Sequence, residues 1–184
     1  MSDETSIPEN PYPGLRPFDE SEAELFFGRE AQIDDVVDAL GRSGFVAVVG
    51  SSGSGKSSLV RAGVLPSLHA GFSTRGAVDW HIVTMRPGGN PIRSLAISLS
   101  ELLADGQADE ELRAAQTEAF LGRSGLGLIS LGDQITSEDS RLLIVVDQFE
   151  EIFRYVSAPG AAGVDTSAAF VELLLEAARA EESK

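Results

Sequence analysis

Cysteine is absent from the 184 residues, which excludes disulfides and thiolate metal sites. Histidine occurs only twice, too few for a zinc site without help from carboxylates. Basic residues are scarce as well: 14 Lys+Arg face 29 Asp+Glu, leaving a formal charge of −15. Such a balance repels nucleic-acid backbones and anionic lipid, so no nucleic-acid partner is expected. No apolar run approaches the ~20 residues that span a bilayer. The acidic start, Met1-Ser2-Asp3-Glu4, also lacks the basic and apolar regions of a signal peptide. The expectation is a cytoplasmic chain with no membrane segment. Lysine is the rarest charged side chain, present as Lys56 and Lys184 while the other 12 of the 14 basic residues are arginine. Codon bias accounts for that imbalance more readily than selection for guanidinium chemistry does, and the scarcity makes the position of Lys56 worth reading closely.

What is present is ordinary globular material, with 42% hydrophobic residues and a length suited to one domain with its own core. Residues 1–20 carry Pro8, Pro11, Pro13 and Pro17 and read as an extended, turn-rich N-terminal segment, with the remainder, 21–184, as the folded core. A short helix is expected over Ser21–Phe27. A second is expected over Arg29–Leu40, with Ile33, Val36, Val37 and Leu40 on one stripe. Phe45–Val49 is β-branched and apolar and predicts a buried strand. Ser57–His69 predicts a helix shortened or bent at Gly63 and Pro66. Val78–Met85 suits a strand. Asn90-Pro91 reads as an N-cap followed by proline at the first helical position, opening a helix that runs toward Asp105-Gly106. Further helices are expected over Asp109–Leu121 and Leu126–Thr136. Leu142–Val146 is the most apolar strand candidate. A short helix through Ile152 and Phe153, a glycine-rich loop at 159–163 and an amphipathic helix over Thr166–Ala180 complete the chain. Strands alternating with helices imply an α/β fold, a parallel sheet flanked by helices on both faces.

Gly50-Ser51-Ser52-Gly53-Ser54-Gly55-Lys56-Ser57 fits G-x-x-x-x-G-K-[ST], lying after an expected strand and opening an expected helix. Glycines at these positions let successive N–H groups turn inward around an anion, and the helix start adds partial positive charge. In this P-loop pattern Lys56 reaches the β and γ phosphates of a nucleotide, and Ser57 ligates magnesium. Ser58 continues the loop into the helix. The alternative is a plain Gly/Ser connector, against which the lysine, the serine and the flanking elements all argue.

Leu142-Leu143-Ile144-Val145-Val146-Asp147 is an apolar strand ending in an acid, the Walker B pattern, which would place Asp147 on the magnesium directly or through water. An acid after a strand is often just its first solvated residue; downstream of a P-loop the metal role is favoured. For the acid that orients the attacking water, Glu150 and Glu151 are candidates. Both also suit the first turn of a helix on charge alone. Gln148 follows Asp147 and could itself orient water, as glutamine does in small GTPases.

The segments Asn10-Pro11-Tyr12-Pro13-Gly14-Leu15-Arg16-Pro17-Phe18, Phe26-Phe27-Gly28-Arg29-Glu30, the P-loop and Asp147-Gln148-Phe149-Glu150-Glu151 together resemble the novel STAND NTPase 1 group of signal-transduction ATPases. The resemblance covers nearly the whole chain. It implies a P-loop NTPase fold, ATP/ADP and Mg2+ as ligands, and a switch that is closed with ADP and assembles when ATP replaces it. It also implies that Phe27, Gly28 and Arg29 lie beside the adenine, although Glu30 could simply favour a helix start. In NACHT-type relatives a pair of acids follows the Walker B aspartate at the offset of Glu150 and Glu151, which favours Glu151 as catalytic and Glu150 as supporting. Arg86, after the strand ending at Met85, could touch phosphate or a neighbouring subunit, or be a solvated loop arginine.

The family pattern expects a further strand with a polar sensor residue, inserted between the P-loop and Walker B strands, and then a winged-helix region. The sequence ends at Glu181-Glu182-Ser183-Lys184, where that strand would begin, so an incomplete sheet is expected. Unpaired strand edges would make the domain marginal or prone to self-association, and hydrolysis weak. Two functions follow: a regulatory, slowly hydrolysing ATPase core of a STAND-type switch, or a catalytically silent nucleotide-binding and self-association module. A small-molecule phosphotransferase would need clustered lid arginines, and those here are scattered. An ABC subunit would show a Ser-Gly-Gly signature before Walker B, and a GTPase an Asn-Lys-x-Asp segment; the sequence has neither.

Overall fold

The computed structural model describes residues 14–71, 79–103, 109–155 and 163–182. The proline-rich stretch through Pro13, the helix end expected near Asp105-Gly106 and the glycine-rich loop before Gly163 lie outside the described residues. The chain divides into two compact units, Met1–Arg42 with Val46–Gly76, and Ser43–Phe45 with Ala77–Lys184. No helix among the described residues is long and apolar enough to cross a membrane.

The first unit is helical. A 3-10 helix, Glu20–Leu25, is closed at its start by reciprocal bonds: Asp19 Oδ1 accepts from Glu20 N at 2.9 Å, and Glu22 Oε2 accepts from Asp19 N at 2.9 Å. Arg16 forks onto both oxygens of Glu22 at 2.6 Å each. That hydrogen bond, joined by the Asp19 N–H, lowers the Glu22 pKa to about 2. Helix α1 (Glu30–Leu40) buries Val37 and ends at Gly41, as its apolar stripe predicts.

From Lys56 to His69 the backbone is helical throughout but not uniformly α: α2 (Lys56–Ser58), a π turn (Leu59–Val64), then α3 (Leu65–His69). The expected break at Gly63 and Pro66 is thus a change of helical type. Pro66 has no N–H to give to Ala62 and its ring crowds that carbonyl, so the wider i→i+5 turn just before it relieves the conflict. Gly63 is required for packing: a Cβ there would stand 2.6 Å from Ile33 Cδ1 and Cγ1, so α1 lies directly on the π turn. Leu59, Ala62, Val64, Leu65 and Leu68 are buried and form the interior of this unit.

The second unit holds β1 (Asp79–Met85) and β2 (Ser140–Val146), which pair in parallel from Asp79↔Ser140 to Met85↔Val146. Parallel neighbours need a crossover, supplied by α4 (Pro91–Leu102), α5 (Glu110–Leu121) and α6 (Gly127–Ile135); α7 (Glu151–Tyr155) and α8 (Gly163–Glu182) follow β2. The α/β expectation therefore holds as a small two-stranded parallel sheet flanked by helices. Asn90 caps α4 as the sequence predicts, its side chain accepting from Arg93 N at 3.1 Å with Pro91 next in line. The core joins Val83 and Met85 of β1, Leu95, Ala96 and Leu99 of α4, Leu121, Leu128, Leu131, Ile152, and Phe170 and Leu173 of α8. Leu95, Leu99 and Phe170 are wholly enclosed, each contributing about 2–3 kcal/mol of apolar burial.

One expectation fails. Phe45–Val49 forms no strand, and the sheet among the described residues contains only β1 and β2. Phe45 and Val49 are 55% and 86% exposed. The composition favours a strand, but a strand is made by pairing rather than by local preference. Instead, the Ser43 hydroxyl donates to Phe45 O at 3.0 Å and accepts from Phe45 N at 3.2 Å, taking the two backbone groups that a ladder would use.

Candidate functional site

In the first unit the Gly50–Ser57 loop turns on two glycines in left-handed conformations, Gly53 (φ 74) and Gly55 (φ 85), and Gly55 is the residue that opens α2. Only glycine enters that region without strain. Ser54 N donates to Ser51 O at 3.2 Å, closing the turn. The Lys56 ammonium folds back over the loop, donating to Gly50 O at 2.9 Å and Ser51 O at 3.1 Å. Ser51, Ser52, Gly53 and Gly55 face solvent, while Ser54 and Ser57 are half-buried. Ser58 is turned inward at 9% exposure, where its Oγ accepts from Phe18 N at 3.1 Å.

The Phe26–Glu30 segment comes to the same place. Arg29 Nη2 donates to Ser54 O at 3.4 Å, and Phe27 is 76% exposed. Gly28, at φ 81, donates its N–H to Glu30 Oε1 at 2.9 Å. That bond, with one from Glu30's own N–H, holds the Glu30 carboxyl below the usual carboxylate range. The structure thus gathers Arg29 and the Gly-rich loop, with Phe18 anchored to the helix that the loop opens.

In the second unit the carboxyl ends of β1 and β2 lie side by side, as they must in a parallel pair. Asp147 N donates to Met85 O at 2.9 Å, continuing the ladder one residue past β2. The Asp147 side chain is only 12% exposed, and its Oδ2 faces Arg86 Nη2 at 3.6 Å. Gly88 N donates to Glu151 Oε2 at 3.2 Å, and Ser94 Oγ of α4 donates to Pro87 O at 3.1 Å. Arg86-Pro87-Gly88 therefore touches both acidic positions while resting on α4. Glu150 is exposed. Gln148 has φ 57, the one non-glycine residue at positive φ among those described, a conformation costing about 1–2 kcal/mol. The ring of Phe149 packs 6.4 Å from Phe170 and 6.5 Å from Phe153, and this anchorage holds the strained turn in place.

A model of the Novel STAND NTPase 1 family matches residues 11–184. The chain belongs to that family. Neither the curated proteins nor the solved structures gave a match. The Novel STAND NTPase 1 match spans the loop, the Phe26–Glu30 segment and the Asp147–Glu151 turn alike, the same segments that carried the resemblance in the sequence.

The sequence passed over two features of this site: the pairing of Arg86 with Asp147, and the Gly88 bond to Glu151. The signal was present. Two apolar strands joined by helices imply parallel pairing, which brings the residues after Met85 and after Val146 together.

Proposed function

We propose that the chain is the ATP-binding, Mg2+-dependent regulatory core of a STAND-type signalling switch, built as a P-loop NTPase. The observation that carries this reading is the Gly53/Gly55 loop with the Lys56 ammonium folded over its carbonyls. The fit to phosphate is direct. A Cβ at Gly53 or Gly55 would meet nothing within 4 Å, so the loop is open on that side. A cation held, among the described residues, by two neutral carbonyls can exchange them for charged phosphate oxygens. In this reading the N–H groups of Gly50–Ser58 and the Lys56 ammonium bind phosphate, and Phe27, Gly28 and Arg29 flank the base. Arg29 is already fastened to the loop at Ser54.

The fit to magnesium rests on donor chemistry. Ser57 offers a half-buried hydroxyl and Asp147 a largely enclosed carboxylate, both hard oxygen donors. No cluster of three or more His, Cys, Asp or Glu suited to a metal occurs among the described residues. Mg2+ is commonly held by one or two protein oxygens, with phosphate and water as its remaining ligands. When bound, the ion neutralises charge on the β and γ phosphates. Glu151, fixed by Gly88 N–H, orients the attacking water, with Glu150 supporting.

The second reading is a catalytically silent nucleotide-binding module that self-associates. It is favoured by Phe45–Val49, an apolar run that joins no strand among the described residues and leaves Phe45 and Val49 exposed. Phosphate release from ATP, with and without Mg2+, separates the two readings. Slow Mg2+-dependent turnover abolished in Glu151→Gln, with ATP binding kept, supports the ATPase. Binding without turnover in the native chain supports the silent module.

A further inference from the structure

We infer that Arg86 is a latch on Asp147, a built-in cation that Mg2+ must displace when nucleotide binds. The inference rests on the reading of Asp147 as a metal-facing carboxylate. Its own evidence is the loop after β1. Three contacts fix that loop's backbone: Met85 O accepts from Asp147 N, Pro87 O accepts from Ser94 Oγ, and Gly88 N donates to Glu151 Oε2. The base of the Arg86 side chain is therefore held at the mouth of β2. From there its guanidinium reaches Asp147 Oδ2 at 3.6 Å while staying half-exposed, with 49% of the side chain accessible against 12% for Asp147.

The asymmetry defines the function. Asp147 is an enclosed carboxylate and needs a positive partner. Arg86 supplies one without being buried itself, so it can leave for solvent at little cost. A divalent ion on the same oxygens and a guanidinium close by repel each other, so the two partners are alternatives. In this proposal the Arg86–Asp147 pair forms when no metal occupies Asp147. Mg2+ arriving with ATP breaks it, and the chain gains less from the metal than an unlatched carboxylate would. Because the same loop holds Glu151 through Gly88, the exchange at Asp147 is coupled to the acid assigned to water.

The experiment is ATP affinity of the full chain by calorimetry, in EDTA and in Mg2+, for the native protein, Arg86→Gln and Arg86→Lys. In EDTA the pair persists in both free and bound chain, so removing it leaves affinity within about twofold. In Mg2+ the variant no longer spends binding energy on opening the pair. The ratio of the EDTA to the Mg2+ dissociation constant should then rise roughly three- to fivefold in Arg86→Gln, the scale of a partly exposed ion pair. Arg86→Lys, which keeps the charge on a shorter side chain without the guanidinium, should fall between. It also supplies the answer if Arg86→Gln does not fold. An unchanged ratio in the variants overturns the latch. So does an equal loss of affinity in EDTA and Mg2+, which would make Arg86 a phosphate ligand. Metal-free ATP binding compared with Lys56→Ala tests the nucleotide reading separately, so failure of that reading is told apart from failure of the latch.

Discussion

The backbone N–H of Gly88 donates to Oε2 of Glu151 across 3.2 Å, tying the loop after β1 to the first turn of α7. Glutamine at 151 keeps an oxygen for that N–H, whereas alanine leaves the partly buried donor without it. Glu151→Ala should therefore cost about 1 kcal/mol or more while Glu151→Gln stays within about 0.5 kcal/mol. Urea unfolding of both variants checks this; equal losses would show that the bond contributes nothing to the turn.

Gln148 sits at φ 57, where a side chain is strained and glycine is not. Gln148→Gly should stabilise the chain by about 0.5–1 kcal/mol, the relief of left-handed strain less the extra backbone entropy of glycine. Differential scanning calorimetry reads the sign. A destabilised variant would mean that the Gln148 side chain holds the turn by contacts that outweigh its strain.

Gly63 has no room for a Cβ, with Ile33 side-chain carbons 2.6 Å from where it would stand. Gly63→Ala should destabilise by about 1–3 kcal/mol as α1 is pushed from the π turn. In combination with Ile33→Ala the loss should be smaller than the sum of the single losses, with a coupling of about 1 kcal/mol. Strictly additive losses in denaturant titrations would place the two residues out of contact.

Acid should weaken the Arg16–Glu22 fork in a defined window. The folded Glu22 pKa is lowered from 4.5 to about 2, so the folded state favours the ionised form. Its contribution is fully present above pH 4.5 and is lost as pH falls from 4.5 toward 2. Arg16 is 56% exposed, so solvent and salt screen the effect. Stability of Glu22→Gln measured against native protein should show a gap at neutral pH that closes across that window. A gap independent of pH would assign the loss to packing.

Local chemistry was legible in the sequence wherever a residue's own backbone or nearest neighbours decide the outcome. Asn90-Pro91 announced the start of α4, Gly53 and Gly55 the turns of the loop, and Ile33 and Val37 the inward stripe of α1, half-buried and buried respectively. What escaped were features set by strand pairing, by a competing side-chain bond or by the choice of helix type, none of which composition decides. Phe45–Val49 has the composition of a strand, yet Ser43 takes the backbone groups of Phe45 and nothing described pairs with the rest. Pro66 reads as a break in its helix, whereas the chain widens into a π turn over the residues before it, Leu59–Val64. Arg86 reads in the sequence as a phosphate contact, a subunit contact or a solvated loop arginine, whereas the parallel register sets it beside Asp147, a relation that no window of sequence contains.

Thermal unfolding of the chain with and without Mg-ATP and Mg-ADP, beside Lys56→Ala, tests the nucleotide-binding account most directly. At about a hundred times its dissociation constant a ligand stabilises by roughly 2.7 kcal/mol, which for a chain of this size is a shift of roughly 5–10 °C. The account predicts that shift in the native chain and its loss in Lys56→Ala. No shift in a cooperatively folding sample, or the same shift in the variant, would contradict it.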